Sequence, residues 1–173
     1  MTKNKKGLSE ILSLVLLLAL TVILVGIVWS IVNNLVEDSL SQAGSCFETF
    51  GKVTINNELT CYDTTSNELR FSINVGDIEL TSALVAVSFG GSSESFELTP
   101  IPTNIDNLVT YPDRETLISL PLKNAGLTYI FVLGDSGISE VPTSIRVAPK
   151  VGNNQCEVSD SIEQIDNCAT LVP

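Results

Sequence analysis

The 173-residue chain reads as α+β: a long N-terminal hydrophobic α-helix followed by an all-β sandwich, immunoglobulin-like in architecture. Three observations carry that expectation. Ile11 to Val32 is a run of twenty-two residues without a charged side chain, the apolar pattern switches to a period of two after Cys46, and all four cysteines lie beyond the apolar run.

The helix comes first. A bilayer core of ~30 Å is crossed by about 20 apolar residues at ~1.5 Å each, so the run is long enough to span one. Lys3, Lys5 and Lys6 precede it, Glu37 and Asp38 follow it, and the next basic residue is Lys52. That asymmetry places the N-terminus on the cytoplasmic side and the bulk of the chain outside, as a single-pass protein of the cell membrane. Leu35, Val36 and Leu40 continue the helical spacing among polar residues, with Gly44 as the expected terminator. No proline precedes Pro100, so nothing kinks the helix. Gly26 and Ser30, four positions apart, form a small-xxx-small step that lets two helices approach closely. Trp29, near the outer end, is expected at the membrane interface or packed against neighbouring helices.

The strands follow. Phe71, Ile73 and Val75 alternate with Ser72 and Asn74, and Val85, Val87 and Phe89 with Ala86 and Ser88, the spacing of half-buried strands. Further strands are predicted over 52–56, 58–62, 95–99, 116–120, 128–133 and 143–148. Gly90-Gly91-Ser92-Ser93 reads as a hairpin loop and Gly134-Asp135-Ser136-Gly137 as a turn. Pro100 to Pro112 is predicted as a long surface loop, and Ile162 and Ile165 as part of a short helical turn. Such a series of short strands suggests a sandwich of about 100 residues whose topology the spacing leaves open.

From Asn34 onward six basic residues face nineteen acidic ones, a net charge of −13, and the chain has no histidine. This composition suits solubility outside the cell and disfavours direct contact with nucleic acid. Cys46, Cys61, Cys156 and Cys168 are even in number and contain no Cys-x-x-Cys pair, which argues for disulfides in an oxidising compartment and against a metal centre. Three pairings are open, and proximity favours Cys46–Cys61 with Cys156–Cys168.

The junction ahead of the helix adds a processing signal. An ordinary secretory signal ends in a small-residue cleavage site after its apolar core. Here the small residue, Gly7, stands before the apolar run, in Lys5-Lys6-Gly7 followed by Leu8-Ser9-Glu10. Over residues 3 to 35 this arrangement resembles the class III signal peptide of type IV pilins, the archaeal pilins and archaellins in particular. The resemblance implies a prepilin peptidase that cuts after Gly7, a mature N-terminus at Leu8, and identical subunits joined through their N-terminal helices into an extracellular filament on the cell surface. Glu10 would be the near-terminal acidic residue, third in the mature chain where the best-known bacterial pattern has its glutamate fifth. Domains follow as 1–7, a basic leader; 8–44, the membrane and filament-core helix; and 45–173, the extracellular sandwich with a disulfide-closed tail.

Other chemistries find less support. Without histidine there is no Ser-His-Asp or Cys-His pair, and the carboxylate pairs Asp113/Glu115 and Asp160/Glu163 lie in stretches that read as solvated, so no enzyme and no cofactor are expected. No phosphate-binding glycine loop, EF-hand or Asn-x-Ser/Thr sequon occurs. Calcium at Asp106, Asp113 or Asp135 has no spacing in its favour. Two competing readings use the same residues: an uncleaved membrane-anchored ectodomain for adhesion or ligand binding, and a minor pseudopilin of a secretion or uptake machine.

Overall fold

The computed structural model describes residues 5–138 and 140–170, and their side chains except those of 5–11, 37–43, 45, 135–136 and 170. The chain divides into two compact units, Met1–Ala43 and Gly44–Pro173. One long apolar helix followed by a β-rich unit is the expected α+β arrangement. In chain order the elements are α1 (Lys5–Phe47), β1 (Val53–Ile55), β2 (Cys61–Asp63), β3 (Glu68–Val75), β4 (Ser82–Ser88), β5 (Ser93–Leu98), β6 (Thr103–Asn104), β7 (Leu108–Thr110), β8 (Leu117–Ile118), β9 (Ala125–Val132), the one-turn helix α2 (Leu133–Ser136), β10 (Ser144–Val151), β11 (Asn154–Gln155), β12 (Asp160–Ile162) and β13 (Asp166–Asn167).

Helix α1 is 43 residues long, or ~65 Å at the usual rise. It does not stop at Gly44 as expected. It runs through that glycine to Phe47, and the turn after it closes with the Thr49 amide and hydroxyl both donating to the Cys46 carbonyl, at 3.2 and 2.7 Å. Glycine costs a helix only about 1 kcal/mol relative to alanine. The left-handed residue that releases the chain is Gly51, at φ +69°.

Two sheets build the second unit, antiparallel throughout except where β13 runs parallel to β2. The first has the order β13-β2-β3-β9-β7 with β1 also on β3; the second has β11-β10-β4-β5 with β12 also on β10. Lettered in chain order, with β1 and β2 together as A, β3 as B, β4 as C, β5 as C′, β7 as D, β9 as E, β10 as F and β11 with β12 as G, this is A-B-E-D facing C′-C-F-G. That is the connectivity of an immunoglobulin-like sandwich. A separate two-stranded ladder, β6 with β8, bridges the loops between them.

The alternation read from sequence is what fills the interior. Leu69, Phe71, Ile73 and Val75 of β3 and Ala83, Val85 and Val87 of β4 are buried and meet between the sheets. Phe71 stacks on Tyr129 of β9 at 5.3 Å between centroids and touches Phe96 of β5 at 5.9 Å, and Phe96 touches Phe131 at 5.8 Å. These aromatic contacts join the two sheets. The Tyr129 hydroxyl, fully buried, donates to the Ser119 carbonyl at 2.7 Å, and burial raises its pKa above the ordinary tyrosine value.

Several local expectations are corrected. The strand predicted over 58–62 begins only at Cys61, because the Asn56 side chain accepts the Glu58 and Leu59 amides at 3.0 and 3.3 Å and winds 57–59 into a 3-10 turn. The stretch from Pro100 to Pro112 is not a bare loop but contains β6 and β7. Its end is tied down where the Tyr111 amide donates to Thr128 and the Thr110 amide to Glu115. The tail's helical turn is not at Ile162, where β12 pairs with β10 and Ile162 lies opposite Ile145, but further on, a 3-10 turn over Cys168–Thr170. The turn at Gly134 to Gly137 is helical, ending on Gly137 at φ +74°.

The cysteine pairing is also corrected. The bonds are Cys46–Cys156 and Cys61–Cys168, 110 and 107 positions apart. The reason is lateral packing: β13 runs parallel to β2 with Asp166 opposite Cys61, so the C-terminal segment, remote in sequence, is the spatial neighbour of the first strand. Hydrogen bonds repeat the join, the Ile55 amide donating to Asp160 Oδ2 and the Ser159 hydroxyl to the Val53 carbonyl, both at 2.8 Å. A loop of about 100 residues corresponds to ~4.7 kcal/mol of denatured-state entropy on the chain-entropy model, more than the ~3 of a 15-residue loop.

Two outcomes follow. A single cut after Arg114, on the exposed turn past β7, should leave one covalent species on a non-reducing gel and two fragments after reduction; the proximity pairing would release two fragments without reductant. Tyr129→Phe should lower stability by about 1 kcal/mol in denaturant titrations. Below pH ~10 folded and unfolded states both hold the phenolic proton, and above it only the unfolded tyrosine ionises freely, so native stability should fall as pH rises past ~10 and fall less steeply in Tyr129→Phe.

Candidate functional site

Every described side chain from Leu12 to Val36 is exposed. Eighteen of them are large and apolar, with exposures from 44% at Val32 to 69% at Val22. These 25 residues are long and apolar enough to cross a membrane. Leaving so many large side chains in water would cost on the order of 20 kcal/mol or more, at 1.5–3 kcal/mol for each full burial forgone. Water is therefore not the surface's working environment. The backbone of the segment is satisfied within the helix, and the Thr21 hydroxyl donates to the Leu18 carbonyl three residues back at 2.8 Å, so that polar group is also partnered internally.

The predicted contact residues fall on this surface. Gly26 and Ser30 are exposed and share one face by their four-residue spacing. A Cβ placed on Gly26 would meet no atom within 4 Å, so no packing in this chain requires the glycine. Leu24, Val25, Val28, Trp29 and Val32 line a shallow apolar furrow along the same helix, with Trp29 67% exposed. Gly7, Leu8 and Glu10 lie on the backbone of α1, which begins at Lys5, and their side chains lie outside the described ones.

On the second unit four basic residues pair with carboxylates. Arg114 pairs with Glu68 at 2.7 Å, Lys123 with Asp77 at 2.9 Å, Arg146 with Glu163 at 3.2 Å and Lys150 with Glu97 at 3.8 Å. The hydrogen bond from Lys123 holds the Asp77 carboxyl below its usual range, and the bond that Arg114 donates to Glu68 holds its guanidinium above its own. Arg70 lies over the Tyr111 ring at 4.3 Å. Five of the six basic residues beyond α1 thus have acidic or aromatic partners, and they form no open cationic groove of the kind that tracks a phosphate backbone.

One of the two carboxylate pairs has structural employment too. Asp160 accepts the Ile55 and Ser161 amides, each at 2.8 Å, and Glu163 holds Arg146. Asp113 and Glu115 are exposed on the turn past β7. Asp106 and Asp113 are exposed, and the Asp135 side chain lies outside those described. Among the described residues no three His, Cys, Asp or Glu side chains converge on one point. The four cysteines meet as two disulfides on the side of the sandwich where the first and last strands run together, a convergence that proximity in sequence did not signal. No family model, no curated protein and no solved structure matches the chain.

Proposed function

We propose that this chain is a structural subunit of an extracellular filament of the type IV pilus kind, inserted in the membrane as a precursor, cleaved after Gly7 and polymerised through α1. The observation that carries the reading is the fully exposed apolar helix surface from Leu12 to Val36, which has no apolar partner among the described residues. Such a surface needs an apolar surrounding at every stage. Lipid supplies it before assembly, and sister helices supply it afterwards.

The position of the basic residues supports the processing step. Lys3, Lys5 and Lys6 stand directly before Gly7, so a cut there removes the cytoplasmic anchor charges and leaves the helix intact with Leu8 at its end. A segment freed of its anchor can leave the bilayer along its own axis, because it carries no strongly hydrated group from Ile11 to Val32. Between helices that are all apolar, lipid and neighbour are nearly equivalent solvents, so association draws on close packing. Gly26 and Ser30 give the backbone its closest approach. The acidic second unit, facing water, keeps the assembly soluble.

Two experiments test this. N-terminal sequencing of surface material should begin at Leu8, and Gly7→Trp should leave an uncut membrane-bound precursor; Met1 or Thr2 on mature surface protein refutes the processing step. Gly26→Leu should insert and fold normally, since a Cβ there meets nothing in the isolated chain, yet reduce the filament yield in sheared cell-surface fractions at least several-fold. Undiminished filaments would remove this face from the interface, and sheared material from the parent chain with no polymer by sedimentation and imaging would favour the uncleaved anchored ectodomain.

A further inference from the structure

The two disulfides and two short chain segments close a single covalent ring. Cys46 and Cys61 are 15 positions apart, Cys156 and Cys168 are 12 apart, and the bonds run across, from 46 to 156 and from 61 to 168. Residues 62–155 hang from this ring as one loop rooted at Cys61 and Cys156. That loop contains β3 to β11 and most of the core. Helix α1 enters the second unit at Cys46, which is itself a member of the ring.

Noncovalent contacts at that entry are few. Strands β1 and β2 have three residues each and are separated by the 3-10 turn at 57–59. A pull through α1, acting on these strands alone, would peel them from β3 a few hydrogen bonds at a time. Across the ring the same pull also reaches Cys156, one residue past β11 and hydrogen-bonded through its amide to Pro149 of β10. Strand β10 pairs with β4 over seven register positions and also with β11 and β12, so it is held on both edges.

We propose that the crossed disulfides form a load-sharing clasp. Tension between α1 and any point on the sandwich is divided between the first and the last strands, and tension between α1 and the C-terminal segment bypasses residues 62–155 altogether. The proposal concerns one chain, whether or not copies assemble, so its failure and that of the filament reading are separable.

Single-molecule force spectroscopy on the full chain in detergent, tethered by its two ends, is the direct test. Beyond α1 the oxidised molecule should lengthen by no more than ~40 Å between Cys46 and Cys168, twelve residues at ~3.4 Å each. After reduction the same molecule should release ~400 Å over the intervening ~120 residues, a roughly tenfold difference. A release of ~300 Å or more from the oxidised chain would overturn the clasp, since residues 62–155 would then lie in the load path. In a second geometry the chain is tethered through α1 and the β4–β5 loop at Gly91. There the rupture force should fall on reduction of the parent chain and in Cys46→Ser/Cys156→Ser. An unchanged rupture force on reduction would refute load sharing, even if the double variant failed to fold.

Discussion

The sandwich depends on the join between its first and last segments. An immunoglobulin-like arrangement closes its core with two sheets, but the outer strands A and G have a partner on one edge only. In this chain both are interrupted, A by the 3-10 turn at 57–59 and G between Gln155 and Asp160. Neither would hold well by its ladder alone. The Asp160 and Ser159 side chains stitch one to the other, β13 lies beside β2, and the crossed disulfides make the contact covalent. What lies inside this margin, from Leu69 to Val147, is mostly apolar; the buried Tyr129 hydroxyl donates to the Ser119 carbonyl and the Ser82 hydroxyl to Glu97, while Arg70 Nε is buried without a hydrogen-bond partner among the described residues.

The chain handles apolar surface in two opposite ways. In the second unit, alternation turns Phe71, Ile73, Val85 and Val87 toward each other and leaves the outside to carboxylates and hydroxyls. In α1 the apolar residues go all the way round from Leu12 to Val36, so no rotation of the helix could hide them against a single neighbour. The first pattern produces a body stable in water, and the second a surface that demands another apolar medium. Proposed membrane insertion and proposed polymerisation are two answers to the same demand. The acidity of the second unit fits either answer, because most of its few basic residues are held in local ion pairs such as Arg114–Glu68 and Arg146–Glu163.

Much of this was legible in the order of residues, and the failures share a cause. The apolar helix, the strands at β3, β4 and β10 and the hairpin at Gly90 to Ser93 follow from local periodicity and turn chemistry, which act between residues a few positions apart. The predicted ends failed where a local competitor or a remote partner intervened. The Asn56 side chain displaced the start of β2, and Gly44 did not halt a helix that continues to the disulfide at Cys46. Pro100, Pro102 and Pro112 suggested only irregular chain, yet β7 between them pairs with β9, twenty residues further on. Ile162 is strand rather than helix because β10 offers it an edge.

By itself, the sequence determined that an apolar rod precedes a β-rich unit, that Gly7 stands before the rod with lysines at its back, and that all four cysteines lie beyond the apolar run. These depend on composition and on spacing along the chain, which folding does not alter. Only the tertiary structure decided which cysteines meet, how the strands order into A-B-E-D and C′-C-F-G, and that the charged pairs close on one another. The reason is physical: the disulfides and the β3–β9 and β4–β10 ladders join segments roughly 50 to 110 positions apart, brought together by burial of the common core rather than by any preference of the residues near them.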